Sequence, residues 1–72
     1  MKTSPAVEIV REGRYVGEID VTVIETESEW SPYLSVDDAE RLDQMRLALR
    51  QGDLKAATRI GRVFELTPVA AE

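Results

Sequence analysis

The sequence predicts a single α+β domain in which an N-terminal antiparallel β-hairpin packs on an αα-hairpin. Two observations predict this fold class. Two β-branched segments, at about 6–10 and 15–25, flank a turn that contains glycine. Two segments with apolar residues at helical spacing, at about 36–50 and 54–64, follow them.

In the second strand the odd positions are apolar and the even positions are mostly polar, which is typical of a half-buried antiparallel strand. Two turns fit between the strands. A two-residue Glu-Gly turn places Ile9 opposite Val16. A three-residue loop, with Gly13 in the left-handed conformation and a bulge, places Ile9 opposite Tyr15 and Val7 opposite Gly17. Only this loop joins the two apolar faces, so we predict it.

The first helix is predicted to begin after Ser35, because Asp38 follows three residues later in the pattern of a capping box. Acidic residues in this first turn also suit the positive end of the helix dipole. The side chains that we expect to face the core are Ala39, Leu42, Met45 and Leu49.

The second helix is predicted to run from Leu54 to about Phe64. Gly52 is expected to end the first helix in the left-handed conformation, and Asp53 to cap the second. The inward positions of the second helix are expected to be Leu54, Ala57, Ile60, Gly61 and Phe64. A glycine within a helical pattern favours a close backbone contact. The segment at about 65–69 is a candidate for a short third strand, since a lone hairpin is marginally stable.

Composition excludes most enzyme classes. The 72 residues, 1–72, form one domain at most, and they include no His and no Cys. Thiol nucleophiles, disulfides and the commonest zinc ligands are therefore absent, and no phosphate-binding loop or nucleophile elbow occurs. We expect no catalytic residues, no metal and no cofactor. We also expect a cytoplasmic protein, because the sequence shows neither a signal peptide nor an apolar run of membrane-spanning length.

The net charge of −5 is unevenly distributed along the chain. Residues 1–45 carry four basic and eleven acidic side chains, whereas residues 46–72 carry five basic and three acidic ones. An acidic surface repels phosphates and suits a basic protein partner. The basic part is either an ordinary solvated face or a contact for an acidic partner or a phosphate backbone.

Two sets of residues are candidate contacts. Trp30, Tyr33 and Leu34 lie in an aromatic connecting segment and are the predicted partner-binding residues, because aromatic residues are enriched in interface hot spots. Alternatively, Trp30 closes one end of the core. The second set, on the outward side of the predicted helix 54–64, is a candidate basic contact face and comprises Lys55, Arg59 and Arg62.

Four stretches carry a family resemblance: Arg-Glu-Gly-Arg-Tyr-Val (11–16), Trp-Ser-Pro-Tyr-Leu-Ser (30–35), Leu-Arg-Gln-Gly-Asp-Leu-Lys-Ala-Ala (49–57) and Leu-Thr-Pro-Val (66–69). With these motifs the chain resembles short bacterial proteins that are similar to the antitoxin partner of small two-gene toxin–antitoxin modules. The resemblance implies a small basic, RNA-cleaving toxin as partner and no catalytic residues.

The leading hypothesis is a non-enzymatic protein-interaction module, antitoxin-like, that binds a partner protein or itself. One alternative is a DNA-binding transcriptional regulator that uses helix 54–64, since a helix-turn-helix also has a short glycine-containing turn. A further alternative is a structural homodimer that pairs through the hairpin edge or the helix faces. No membrane partner is expected.

Overall fold

A computed structural model describes residues 2–27 and 31–70 of the chain. The elements follow in the order β1 (Lys2–Glu12), β2 (Tyr15–Glu25), β3 (Tyr33–Leu34), α1 (Val36–Gln51), α2 (Leu54–Ile60) and β4 (Arg62–Glu65). An antiparallel hairpin followed by two helices and a further strand confirms the predicted α+β fold class. Among the described helices, none combines the length and the hydropathy that crossing a membrane requires.

β2 is the central strand of the sheet. It pairs with β1 along its whole length on one side, and with β4 and then β3 on the other, all antiparallel. Side chains of α1 occupy the gap between β4 and β3. There the Thr22 N–H donates to Asp38 Oδ2 at 2.9 Å, and Arg41 Nη1 donates to the Asp20 carbonyl oxygen at 3.0 Å. This edge of β2 is therefore hydrogen-bonded even where no strand covers it.

The hairpin turn consists of two residues, Gly13 and Arg14. Gly13 has φ of 60° and Arg14 has no positive φ, which is the pattern of a type II′ turn with glycine at its first central position. Both turns considered from the sequence are therefore wrong. The physical reason is that this tight turn suits the twist of the strands and fixes their register. The turn geometry therefore outweighs the preference for burying Val7 and Ile9.

The register decides which face each β1 side chain occupies. Val10 lies opposite Gly17 and is buried, whereas Ile9 lies opposite Glu18 and is exposed. Val7 is exposed on the same side as Ile9. β1 also extends well beyond the predicted 6–10, because its polar first residues pair with the end of β2.

The predicted helix caps are confirmed. Ser35 Oγ accepts a hydrogen bond from the Asp38 N–H at 3.1 Å at the start of α1. Gly52 ends α1 with φ of 73°. Asp53 caps α2 by accepting a bond from the Ala56 N–H at 3.1 Å. These caps fix where α1 begins and ends and where α2 begins. Both helices pack on one face of the sheet, here called the inner face.

The predicted helix 54–64 is too long. α2 ends at Ile60, and Gly61 is extended against β2 so closely that a Cβ there would collide with the Glu18 carbonyl oxygen. The chain then continues as β4. The short strand that was predicted at 65–69 therefore lies earlier in the chain. Phe64 consequently lies on a strand and is exposed rather than inward.

The core is small and lies between the inner face and the helices. Its buried residues are Val10, Ile19, Val21, Met45, Ala48, Leu49 and Ala57. Leu42 and Ile60 pack against it in part, whereas Ala39 and Leu54, which were predicted to face it, are exposed. They are exposed because the buried side of α1 and α2 centres on Met45 and Ala57, where the two helices meet the sheet.

Candidate interaction surface

No described element covers the other face of the sheet, which we call the outer sheet face. Because side chains alternate along a strand, the register fixes its members. These are Thr3, Pro5, Val7, Ile9 and Arg11 on β1, Val16, Glu18, Asp20, Thr22 and Ile24 on β2, Tyr33 on β3, and Arg62 and Phe64 on β4. An antiparallel sheet commonly leaves one face to solvent, but such a face is then mostly polar. This one carries six apolar side chains besides Tyr33.

The apolar side chains of the outer sheet face are substantially exposed. Ile9 is 62% exposed, Val7 50% and Phe64 49%. Phe64 lies directly opposite Val16, and such a cross-strand aromatic and β-branched pair packs together. The result is an apolar surface in two parts, one along β1 and one where β4 meets β2.

A charged cluster separates these parts. Arg62 binds Asp20 in a bidentate manner, with Nη2 to Oδ1 at 2.9 Å and Nη1 to Oδ2 at 3.1 Å. Its Nε also donates to Glu18 Oε1 at 3.0 Å. The hydrogen bonds from Arg62 lower the pKa of Asp20 below its ordinary value, and both carboxylates raise the pKa of Arg62. The cluster ties β4 to β2 and leaves one net negative charge in the middle of the face.

Near the end of β2 the outer sheet face meets a second surface, which we call the acidic end. It consists of Glu25, Glu27, Tyr33, Val36 and Asp37. Tyr33 is 44% exposed, and Val36, the first residue of α1, is 72% exposed. The three carboxylates form no ion pair with any described residue. Apolar anchors and negative charge therefore occur at the same end of the sheet, with Tyr33 on its outer face and Glu25, opposite Lys2, on its inner face.

The opposite end of the molecule is basic, because the hairpin turn and the end of α1 bring three arginines together. Arg50 binds Glu12 at 2.9 Å and Arg14 binds Glu65 at 3.3 Å, whereas Arg11 makes no ion pair with a described residue. An open cleft of about 690 Å³ lies between this turn and residues 65–68. Its lining combines Arg11 and Arg14 with Glu65, Leu66 and Pro68.

The structure separates the predicted partner-binding residues. Tyr33 lies opposite Ile24 and is exposed at the acidic end. Leu34 lies opposite Val23 and packs against the core, so its side chain supports the surface from beneath. Trp30 lies outside the described residues.

The predicted basic contact face is also divided. Lys55 and Arg59 are exposed on α2. Arg62 lies on β4 instead, where Asp20 and Glu18 already bind its guanidinium group. Of the predicted basic helix, only the short α2 with Lys55 and Arg59 therefore remains among the described residues.

Sequence reasoning missed the outer sheet face itself. Val7 and Ile9 were assigned to the core through the wrong register, and Phe64 through the overlong helix. The available signal was Gly61, since glycine disfavours a helix interior and precedes an alternating Arg-Val-Phe-Glu segment.

Within residues 2–27 and 31–70, no three carboxylates come close enough together to hold a metal ion. Comparison with protein-family models, curated proteins and solved structures found no match to this chain.

Proposed function

We propose that this chain is a non-enzymatic protein-interaction module that binds a basic partner protein through the acidic end and the adjoining outer sheet face. The observation that carries the proposal is that exposed Tyr33 and Val36 lie at the same end of the sheet as the carboxylates of Glu25, Glu27 and Asp37, which form no ion pair with a described residue. Aromatic and aliphatic anchors supply binding energy, and a charged surround selects the partner and speeds its approach.

The total accessible surface of the chain supports a binding role. The chain exposes 5555 Å², whereas a compact monomer of this size exposes about 4,500 Å². The difference, about 1,000 Å², is of the order that one partner contributes to a standard protein interface, about 800 Å². A protein partner of ordinary size would cover this excess.

Charge supports the choice of partner. The chain has a net charge of −5, and the acidic end carries three carboxylates beside one described cation, Lys2. A partner with a basic surface gains from these charges, whereas nucleic acid is repelled by them. The small basic toxin that the sequence resemblance implies belongs to this class of partner.

The test starts from the tagged chain purified from its native cells, followed by identification and separate purification of any stoichiometric partner. Calorimetry then gives the Kd of wild type, Tyr33→Ala and Phe64→Ser. We expect a basic partner, and a Kd raised at least about 30-fold by Tyr33→Ala, as for an interface anchor. Phe64→Ser should weaken binding less, because it lies farther from the acidic end.

Leu47→Ala is the matched control, since Leu47 is a similarly exposed side chain on α1 outside both surfaces. Circular dichroism verifies that each variant is folded. An acidic partner, or unchanged affinity in folded Tyr33→Ala, would overturn the proposal. Recovery of DNA alone, with affinity lost on changing Lys55 and Arg59, would instead establish a regulator.

A further inference from the structure

We infer that this chain forms a two-fold symmetric homodimer in which the β1 strands of two copies pair antiparallel about Val7. The inference is tested separately from the proposed function, because it uses the free edge of β1, whereas Tyr33 on β3 lies on the other side of β2.

The two edges of the sheet differ. The far side of β2 is occupied by β4 and β3, and the gap between them is bridged by Asp38 and Arg41. β1 has no strand neighbour on its other side among the described residues. Eleven residues therefore present an open edge, and such an edge is a template for pairing with another strand.

The hydrogen-bond pattern shows which backbone groups are open. The Leu66 N–H donates to the Arg14 carbonyl oxygen at 2.6 Å, in line with the β2–β4 register. Hydrogen-bonded pairs alternate in an antiparallel ladder. The backbone N–H and C=O groups of the even residues of β2 therefore point toward β4, and those of the odd residues point toward β1. It follows that the odd residues of β1 direct their N–H and C=O groups away from β2. Pro5 is one of them, and its missing N–H leaves the β1–β2 ladder intact.

The side chains at these open positions form an apolar row. Pro5, Val7 and Ile9 follow one another at every second residue on the outer sheet face, and all three are exposed. When two β1 strands pair antiparallel, the rows of both copies lie side by side and cover each other. The strand that offers free hydrogen bonds thus also offers an apolar seam.

Charge selects one register. With Val7 opposite Val7 of the second copy, all eleven residues overlap and Lys2 lies opposite Glu12 at both ends. Pro5 then lies opposite Ile9 and donates no hydrogen bond to it, so the ladder lacks one bond on each side of Val7. With Val7 opposite Ile9, Glu8 lies opposite Glu8 of the second copy, and like charges directly opposite are destabilising. The register centred on Val7 therefore combines the longest overlap with opposite charges at its ends.

The shape and polarity of the whole molecule suit this arrangement. The radius of gyration is 14.7 Å and the longest dimension 50 Å, whereas a compact chain of this length has a radius of about 11 Å. The acidic end and the basic hairpin turn lie at opposite ends of the sheet. Antiparallel pairing places the acidic end of each copy alongside the basic end of the other, which is attractive at both ends.

The absence of cysteine allows a direct test on the full chain, because each introduced thiol is the only one present. In the proposed register the Cα atoms of position 7 in the two copies are about 5.5 Å apart, which a disulfide can span. We expect Val7→Cys to oxidise to a covalent dimer. Thr3→Cys is the control on the same face of β1. Its two thiols would lie about 27 Å apart, so it should stay monomeric on a denaturing gel.

A mixture of Thr3→Cys and Arg11→Cys fixes the register, because these positions face each other and should give a mixed dimer. Sedimentation of the unmodified chain should give twice the monomer mass. Val7→Lys should raise the dimer dissociation constant at least tenfold while the circular dichroism stays unchanged.

A monomeric unmodified chain at concentrations of about 100 μM, or cross-linking of Thr3→Cys as fast as Val7→Cys, would overturn the inference. Neither result affects partner binding, which Tyr33→Ala tests separately.

Discussion

The two faces of the sheet are similar in composition but opposite in environment. On the inner face, Val10, Ile19 and Val21 are at most 4% exposed beneath the helices. On the outer sheet face, Val7 and Ile9 are at least half exposed, although they belong to the same hairpin. Apolar content alone therefore does not identify the residues of the core. The register and the position of the helices determine which apolar residues stabilise the fold and which remain available for contacts.

The faces also differ in their polar groups. No polar or charged side chain is buried on the described inner side, whereas the outer sheet face holds the ion cluster of Arg62, Asp20 and Glu18. Exposed ion pairs contribute little to stability even when their geometry is good. The free energy of unfolding therefore depends mainly on the inner face, and the following changes test that division.

Met45→Ala should have the largest effect. Met45 is fully buried and fills the space above Gly17, so truncation leaves a cavity between α1 and β2. We expect a loss of about 2–5 kcal/mol in the free energy of unfolding, measured by urea denaturation. For a domain this small, that loss amounts to much of the total stability.

Leu47→Ala is the control for this prediction. Leu47 lies on the same helix but is 53% exposed, so the change should alter the unfolding free energy by no more than about 0.5 kcal/mol. Similar losses in the two variants would mean that the core does not lie between α1 and the inner face.

Gly61→Ala should have the next largest effect. The added Cβ would meet the Glu18 carbonyl oxygen, so the chain must shift where α2 passes into β4. We expect a loss of about 1–3 kcal/mol, as for other overpacked sites. Gly52→Asn is the matched control, because no atom lies near a Cβ at Gly52 and asparagine tolerates the left-handed conformation. Equal stability of Gly61→Ala and wild type would contradict the close approach of β4 to β2.

Local signals predicted the helix ends because they depend on few residues. Ser35, Gly52 and Asp53 each satisfy backbone groups within a few positions along the chain, so the caps can be identified from the sequence alone. The order of elements also followed from the two periodicities. This covers the fold class and most of α1.

Non-local choices were not predictable in this way. The register of β1 depended on which of several similar turns forms at Gly13. A shift of the register by one residue moves every β1 side chain to the other face of the sheet. The end of α2 depended on the contact between Gly61 and Glu18, which are far apart in sequence. Tyr33 was identified because aromatic loop residues stand out locally, whereas Phe64 and Ile9 became visible as surface residues only once the sheet was assembled.

The smallest expected effect concerns the polar part of the outer sheet face. Arg62 lowers the pKa of Asp20 in the folded chain below its ordinary value of 3.8. At a pH between the lowered and the ordinary value, the folded state therefore binds fewer protons than the unfolded state. The stabilisation from this pair is therefore complete above the ordinary pKa and is lost as the pH falls through the lowered one. Thermal unfolding between about pH 6 and pH 2 should show a steeper acid decline in wild type than in Asp20→Asn. Glu40→Gln, the control at an exposed carboxylate without a described ion pair, should follow wild type. Parallel curves for wild type and Asp20→Asn would show that the ion cluster adds no stability beyond that of the same side chains in water. The packing of the inner face would then account for the stability of the sheet.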